Sequence, residues 1–214
     1  MRYQQSPIIL DSLFFVAPLV LVACAAYWWN LRLFSLLCIL LGIFVLWFFR
    51  NPERYPPSDI KAIVSPADGR IIAVETVPPG DLMMEETTKV SIFMNVFNVH
   101  VNRMPMQGVI DAIRYYPGAF VSANLDKASL QNERNAVLIR MANGKSLLVI
   151  QIAGLIARRI VCWVREGMSV NRGERFGLIK FGSRLDVYIP RGIEVTARIG
   201  DTVRAGESEI GRMP

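Results

Sequence analysis

The sequence predicts a mainly β protein, a flattened antiparallel β sandwich or barrel-like domain preceded by an N-terminal hydrophobic helical hairpin. Three observations predict it. Charge is almost absent from residues 1–49, where Arg2, Asp11 and Arg32 are the only charged side chains of a 214-residue chain with net charge +6. Residues 50–214 break instead into short runs rich in β-branched side chains, bounded by Pro and Gly. The last 45 residues repeat a Gly and Glu spacing that sets tight turns between short strands.

The chain therefore divides into a membrane hairpin, residues 1–49, and one β-rich domain, residues 50–214. A content of 52% hydrophobic and 20% charged residues excludes a disordered chain. Counts of 15 Gly, 12 Pro and 3 Cys exclude collagen-like, coiled-coil and disulfide-scaffold classes. Cys24 and Cys38 lie in the apolar piece, Cys162 stands alone, and there is one His, so no metal site or disulfide network is expected. A reducing, cytoplasm-facing domain fits that usage. The basic excess lacks a Lys/Arg tract interleaved with aromatics, which argues against a nucleic-acid partner and suits an anionic membrane surface.

The first element is an uncharged run of 17 residues, Leu13–Trp29, and the second is another of 17, Leu33–Phe49, separated by Asn30-Leu31-Arg32. As helices each is about 25 Å long, just short of a ~30 Å hydrocarbon core. Two short spanning helices and a hairpin dipping into one leaflet both remain open. Trp28 and Trp29 close the first run, and Trp47, Phe48 and Phe49 the second, as interfacial belts do. If the chain turns back, Arg2, Arg50, Arg54 and Lys61 share one side against Arg32 alone, which puts the following domain on the cytoplasmic face of the cell membrane. A cleaved signal peptide would leave the second run unexplained. Pro52, Pro56 and Pro57 then forbid helix and predict an extended exit.

The predicted strands follow in order: Ile63-Val64, Arg70–Val74, Lys89–Met94, Val109–Ile113, Ala136–Ile139, Ser146–Ile152 and Arg159–Trp163. Asn143-Gly144 between two of them is a two-residue hairpin signal. Ser122–Glu133 reads as a helical or irregular excursion. Toward the C-terminus, Gly173-Glu174, Gly177, Gly200-Asp201 and Ala205-Gly206-Glu207 punctuate strands such as Ile193–Val195.

Chemistry centres on the single histidine, because imidazole alone titrates near neutrality unperturbed. Strand alternation would put Asn98, His100 and Asn102 on one face, the wall of a site, although a structural histidine at a strand edge gives the same pattern. Asp68, in Ser65-Pro66-Ala67-Asp68-Gly69, is either a turn carboxylate or the group that orients the imidazole. The nucleophile candidate is Ser183, following Gly182 between the apolar runs Phe176–Phe181 and Leu185–Ile189. Gly182 lacks a Cβ, so its backbone tolerates strain and its carbonyl can be approached closely.

Phe49-Arg50-Asn51-Pro52-Glu53-Arg54, Ser65-Pro66-Ala67-Asp68-Gly69, Phe97-Asn98-Val99-His100-Val101-Asn102-Arg103-Met104-Pro105, Asn132-Glu133-Arg134-Asn135 and Phe181-Gly182-Ser183-Arg184 occur together and in order. In that order and spacing the chain resembles the phosphatidylserine decarboxylases, from about residue 48 to 212 and most nearly their short bacterial and archaeal-type branch. The long branch reads Leu-Gly-Ser-Thr where this chain reads Phe-Gly-Ser-Arg. The resemblance implies a self-made cofactor. Ser183 attacks the Gly182 carbonyl, and elimination of the ester leaves a covalent pyruvoyl group derived from Ser183 on a small chain 183–214, beside a large chain 1–182. It also implies His100 as general base, Asp68 as holder of its tautomer, and conversion of phosphatidylserine to phosphatidylethanolamine and CO2, with the pyruvoyl ketone as electron sink. Arg103, Lys180 and Arg184 are candidates to pair with the substrate phosphate or carboxylate. The oligomeric state stays open.

Three other readings compete. Leu125-Asp126-Lys127-Ala128-Ser129 resembles a lipoyl-attachment turn, which would make the protein a membrane-tethered carrier or adaptor but leaves Asp68, His100 and Gly182-Ser183 without roles. A silent relative that only binds anionic lipid leaves the same residues idle. A pyruvoyl decarboxylase acting on a soluble substrate is disfavoured by the hairpin.

Overall fold

The structure, a computed structural model, describes residues 6–119, 131–154, 159–180 and 182–214. It forms two compact units, Met1–Glu53 and Arg54–Pro214. Most of the excursion expected over Ser122–Glu133, Lys127 included, lies outside the described residues.

In the first unit, helix α1 (Leu13–Trp28) extends a short 3-10 turn at Leu10–Ser12 and is followed by α2 (Arg32–Phe48). Asn30, at φ 61°, makes the reversal between them; a short polar side chain tolerates that left-handed geometry better than most. The helices pack together, and Ser35 Oγ donates to the Ala23 carbonyl at 2.9 Å, so the hydroxyl is satisfied inside the helix pair. The open ends are tied as well: Ile9 N–H donates to the Phe49 carbonyl (2.9 Å) and Asn51 N–H to that of Pro7 (2.7 Å). Phe14, Leu21, Trp28 and Leu33 remain exposed, each more than two-thirds so. Leu10–Trp28 is 19 residues of mean hydropathy 2.0, long and apolar enough to cross a membrane; α2 is shorter.

Among the described residues the named elements of the second unit are strands: β1 (Ala62–Val64), β2 (Gly69–Val77), β3 (Thr87–Met94), β4 (Val101–Arg103), β5 (Gly108–Tyr116), β6 (Arg134–Arg140), β7 (Ser146–Ala153), β8 (Ile160–Cys162), β9 (Ser169–Val170), β10 (Arg175–Ile179), β11 (Ser183–Pro190), β12 (Glu194–Val195), β13 (Thr202–Val203) and β14 (Glu209–Arg212). Among the described residues they form an eight-stranded sheet, β13-β2-β3-β11-β7-β6-β5-β9, and two three-stranded sheets, β4-β10-β8 and β1-β14-β12. Every named pairing is antiparallel. The mainly β, antiparallel prediction therefore holds, and the Asn143-Gly144 turn joins β6 to β7 with Gly144 at φ 81°.

Alternation on β11 decides which side each residue takes. Leu185, Val187 and Ile189 enter the main apolar core with Ile92 and Val90 of β3 and Val149 of β7. Tyr188 belongs to a smaller cluster with Leu148, Ala136 and Met83. Ser183 is in phase with the core residues, and Arg184 and Asp186 with Tyr188.

One local expectation changes. Residues 95–98 form a turn, and β4 begins only at Val101, so Asn98 and His100 do not share a strand face with Asn102. The cause is side-chain competition for backbone donors. Asn95 Oδ1 accepts from Phe97 N–H at 2.8 Å, and Asn98 Oδ1 accepts from Asn95 N–H at 2.9 Å.

Candidate active site

Ser183 opens β11 between Met94 of β3 and Ala153 of β7, and its side chain is completely buried. The residue before it, Gly182, has φ 64°, a left-handed geometry that costs any L side chain about 1–2 kcal/mol. Nothing lies within 4 Å of where a Cβ would be, so the glycine answers to the backbone turn rather than to crowding.

His100, also fully buried, is held over this turn. Gly182 N–H donates to His100 Nε2 at 3.3 Å, so that nitrogen presents a lone pair. Nδ1 stands 2.9 Å from the Asn98 carbonyl, an acceptor, and therefore carries the proton. The two contacts together define a neutral imidazole whose basic nitrogen faces the Gly182–Ser183 segment. The 95–98 turn thus has a purpose beyond geometry: it aims the Asn98 carbonyl that fixes the tautomer.

Asp68, expected to hold that ring, is committed elsewhere. Its Oδ1 accepts from Ala205 N–H at 2.8 Å, and its Oδ2 pairs with Arg54 at 3.1 Å. Arg54 reaches Glu207 with its other Nη at 2.8 Å, so Asp68 clasps the Ala205–Glu207 turn to the start of the unit. Where a carboxylate was expected, the ring's Nδ1 meets the Asn98 backbone carbonyl.

The candidate substrate cations are buried too. Arg103 Nη1 donates to the Gly173 carbonyl at 2.8 Å, and Lys180 is 9% exposed. Arg184, 1% exposed, lies opposite Ser183 in phase; its Nε pairs with Asp186 at 2.6 Å and its Nη2 donates to Ser91 Oγ at 2.7 Å. Its Nη1 is buried without a hydrogen-bond partner. On that same side of the sheet, Thr87, Tyr116, Arg134 and Tyr188 line a cavity of about 210 Å³. Burial and the Asp186 charge push the Tyr188 phenol well above its ordinary value.

The sequence reading named Asn102 in a site wall but missed the chain of buried amides that ties it through Gln151 to Asn135. Asn135 Nδ2 donates to Gln151 Oε1 at 3.0 Å, and Gln151 Nε2 to Asn102 Oδ1 at 2.8 Å. Asn102 Nδ2 then faces Met94 Sδ at 3.9 Å, the same sulfur to which Ser183 Oγ donates at 3.3 Å. A signal existed: Gln151 interrupts the apolar run Leu147–Ile152, and a polar side chain inside such a strand needs a buried partner. Gly177 of β10 leaves the gap for it, since a Cβ there would stand 2.7 Å from Gln151 Nε2 and 2.5 Å from the Val161 carbonyl oxygen.

A buried serine hydroxyl, an imidazole with its lone pair turned to the adjoining peptide, and a glycine in a left-handed turn between them are parts from which an acyl shift at one peptide bond can be built. The family model described as phosphatidylserine decarboxylase matches residues 41–211. A phosphatidylserine decarboxylase proenzyme of Syntrophus aciditrophicus is 58% identical over 169 residues, covering 79% of each chain. The proenzyme of that name from Magnetococcus marinus is 46% identical over 192 residues, 90% of this chain and 87% of its own, and the one from Burkholderia mallei is 50% identical over 177, covering 82% and 81%. Carrying the Gly182-Ser183 turn under His100 within the matched span, the chain belongs to the phosphatidylserine decarboxylase family.

Proposed function

We propose that the protein is a membrane-associated proenzyme that cleaves itself between Gly182 and Ser183, converts Ser183 to a pyruvoyl group, and then decarboxylates phosphatidylserine to phosphatidylethanolamine and CO2. The observation that carries the reading is the lone pair of His100 Nε2 on the Gly182 amide, beside a fully buried serine.

In the first step Ser183 Oγ turns from Met94 and gives its proton to His100 Nε2 while bonding to the Gly182 carbonyl carbon. Collapse of the adduct breaks the Gly182–Ser183 C–N bond, and the proton passes from Nε2 to the Ser183 nitrogen, leaving an ester. His100 Nε2, now unprotonated, then takes the Ser183 Cα proton, which breaks the Cβ–Oγ bond and frees the Gly182 carboxylate. Water adds, ammonia leaves, and the new terminus is a ketone. The site suits that group, since the Ser183 side chain is shut away from solvent between β3 and β7. Once formed, the ketone supplies an electron sink for the pair left when CO2 departs. In this reading His100, still held through Nδ1, returns a proton to the product carbon from Nε2.

The apolar hairpin supports membrane association: Leu10–Trp28 is about 28 Å long as a helix, close to the hydrocarbon thickness. The basic flank of Arg50, Arg54 and Lys61 supports a cytoplasmic site on the cell membrane. Tethering keeps the enzyme where a lipid headgroup is concentrated. The test is intact-mass analysis of the membrane-extracted chain beside Ser183→Ala. The wild type is expected as chains 1–182 and 183–214, the latter opening with a pyruvoyl group, and the variant as one whole chain. A folded wild type that stays whole refutes the reading.

A further inference from the structure

The self-cleavage step needs a donor for the negative charge that develops on the Gly182 oxygen. We propose that Asn102 supplies it through Nδ2; the assignment rests on the self-cleavage reading above.

The amide chain fixes which end of Asn102 points where. Gln151 Nε2 can only donate, so it takes Oδ1, and the NH2 end is left to face Met94. A thioether has no proton to give, which agrees with that orientation. Asn135 fixes Gln151 in the same way by donating to Oε1. Asn102, Gln151, Ser183 and Met94 are completely buried, and Asn135 is 4% exposed, so water does not compete for these donors.

Two good donors, Ser183 Oγ and Asn102 Nδ2, therefore converge on one poor acceptor, and the sulfur contact of Nδ2 at 3.9 Å is long. A buried amide donor given only a thioether is under-satisfied in the resting chain. In the tetrahedral adduct the former carbonyl oxygen is bonded to the same carbon as Oγ, so the oxyanion forms next to the atom that shares the Met94 sulfur with Nδ2 in the resting chain. The charge arrives where an N–H already waits in a dry, rigid setting, the condition under which such a donor favours the transition state over the ground state. Gly177 belongs to the device, because only a residue without a Cβ lets Gln151 reach across to Asn102.

The experiment follows self-cleavage of the full chain, synthesised in the presence of lipid vesicles, by intact mass against time. It compares wild type, Asn102→Asp and Asn102→Ser, each with and without hydroxylamine to intercept the ester. Asn102→Asp keeps the acceptor for Gln151 and loses the donor; it is expected to cleave about 10²–10³-fold more slowly. Hydroxylamine should not rescue it, because the ester itself fails to form. Asn102→Ser, which keeps a donor on a shorter side chain, should recover part of the rate. Asn102→Asp cleaving within about threefold of wild type overturns the assignment, as does rescue by hydroxylamine or an equal loss in both variants. A wild type that stays whole removes the self-cleavage reading and this assignment with it.

Discussion

Replacing Asp186 by Asn isolates what Arg184 does. The pair is interior on both sides, with side chains 1% and 0% exposed and a 2.6 Å contact, and Arg184 Nη1 has no partner even in the intact protein. Neutralising Asp186 would strand a guanidinium whose remaining hydrogen-bond partner is Ser91. Breaking one side of a buried pair costs about 3–5 kcal/mol. At roughly 2–4 °C per kcal/mol for a domain of this size, the melting temperature should fall by roughly 6–20 °C. Removing both charges in Arg184→Met/Asp186→Leu should recover most of that loss, because two apolar side chains leave no charge to desolvate. Calorimetric or circular-dichroism melting of the membrane-extracted protein gives both values. A drop under about 3 °C for Asp186→Asn, or a double variant less stable than the single one, would refute the reasoning and return Arg184 to the substrate.

Gly177→Ala puts a Cβ 2.5 Å from the Val161 carbonyl oxygen and 2.7 Å from Gln151 Nε2, so β10 must shift; overpacking of this kind costs about 1–3 kcal/mol, seen as a lower melting temperature together with slower self-cleavage by intact mass. Tyr188, raised by burial, should keep its proton in the folded chain while the unfolded phenol ionises near pH 10. The unfolded state then holds fewer protons, so stability is level below about pH 9 and falls as pH rises through 10. Urea midpoints across that range should show the slope in wild type and a smaller one in Tyr188→Phe.

Much of this was readable from residue patterning. A nearly charge-free segment long enough for two helices stands out from the β-rich remainder, and runs such as Ser146–Ile152 beside Asn143-Gly144 have no good alternative to a hairpin. The Gly182, Ser183 and His100 constellation was likewise legible, and the structure brings those three together. Two kinds of feature were not. Strands of two residues, such as β9 and β13, exist through pairing rather than periodicity, so no local pattern marks them. Long-range polar partners were hidden as well. Arg184 read as a candidate for the substrate because its partner Asp186 sits within the same strand on the same face, and the Asn98 carbonyl on His100 Nδ1 is a backbone group common to every residue.

The position of β11 bears on how a chain end can act as a reagent. Strand termini ordinarily fray. A break before Ser183 would create a terminus flanked on both sides, by β3 and by β7, inside the longest sheet. The severed piece would also run through β12, β13 and β14, with β14 seated between β1 and β12 in a second sheet. It is woven through two sheets like a weft thread and cannot leave unless both are undone. Scission would thus cost the fold one covalent bond and no tertiary pairing, and the liberated terminus would keep the positional order of an interior residue.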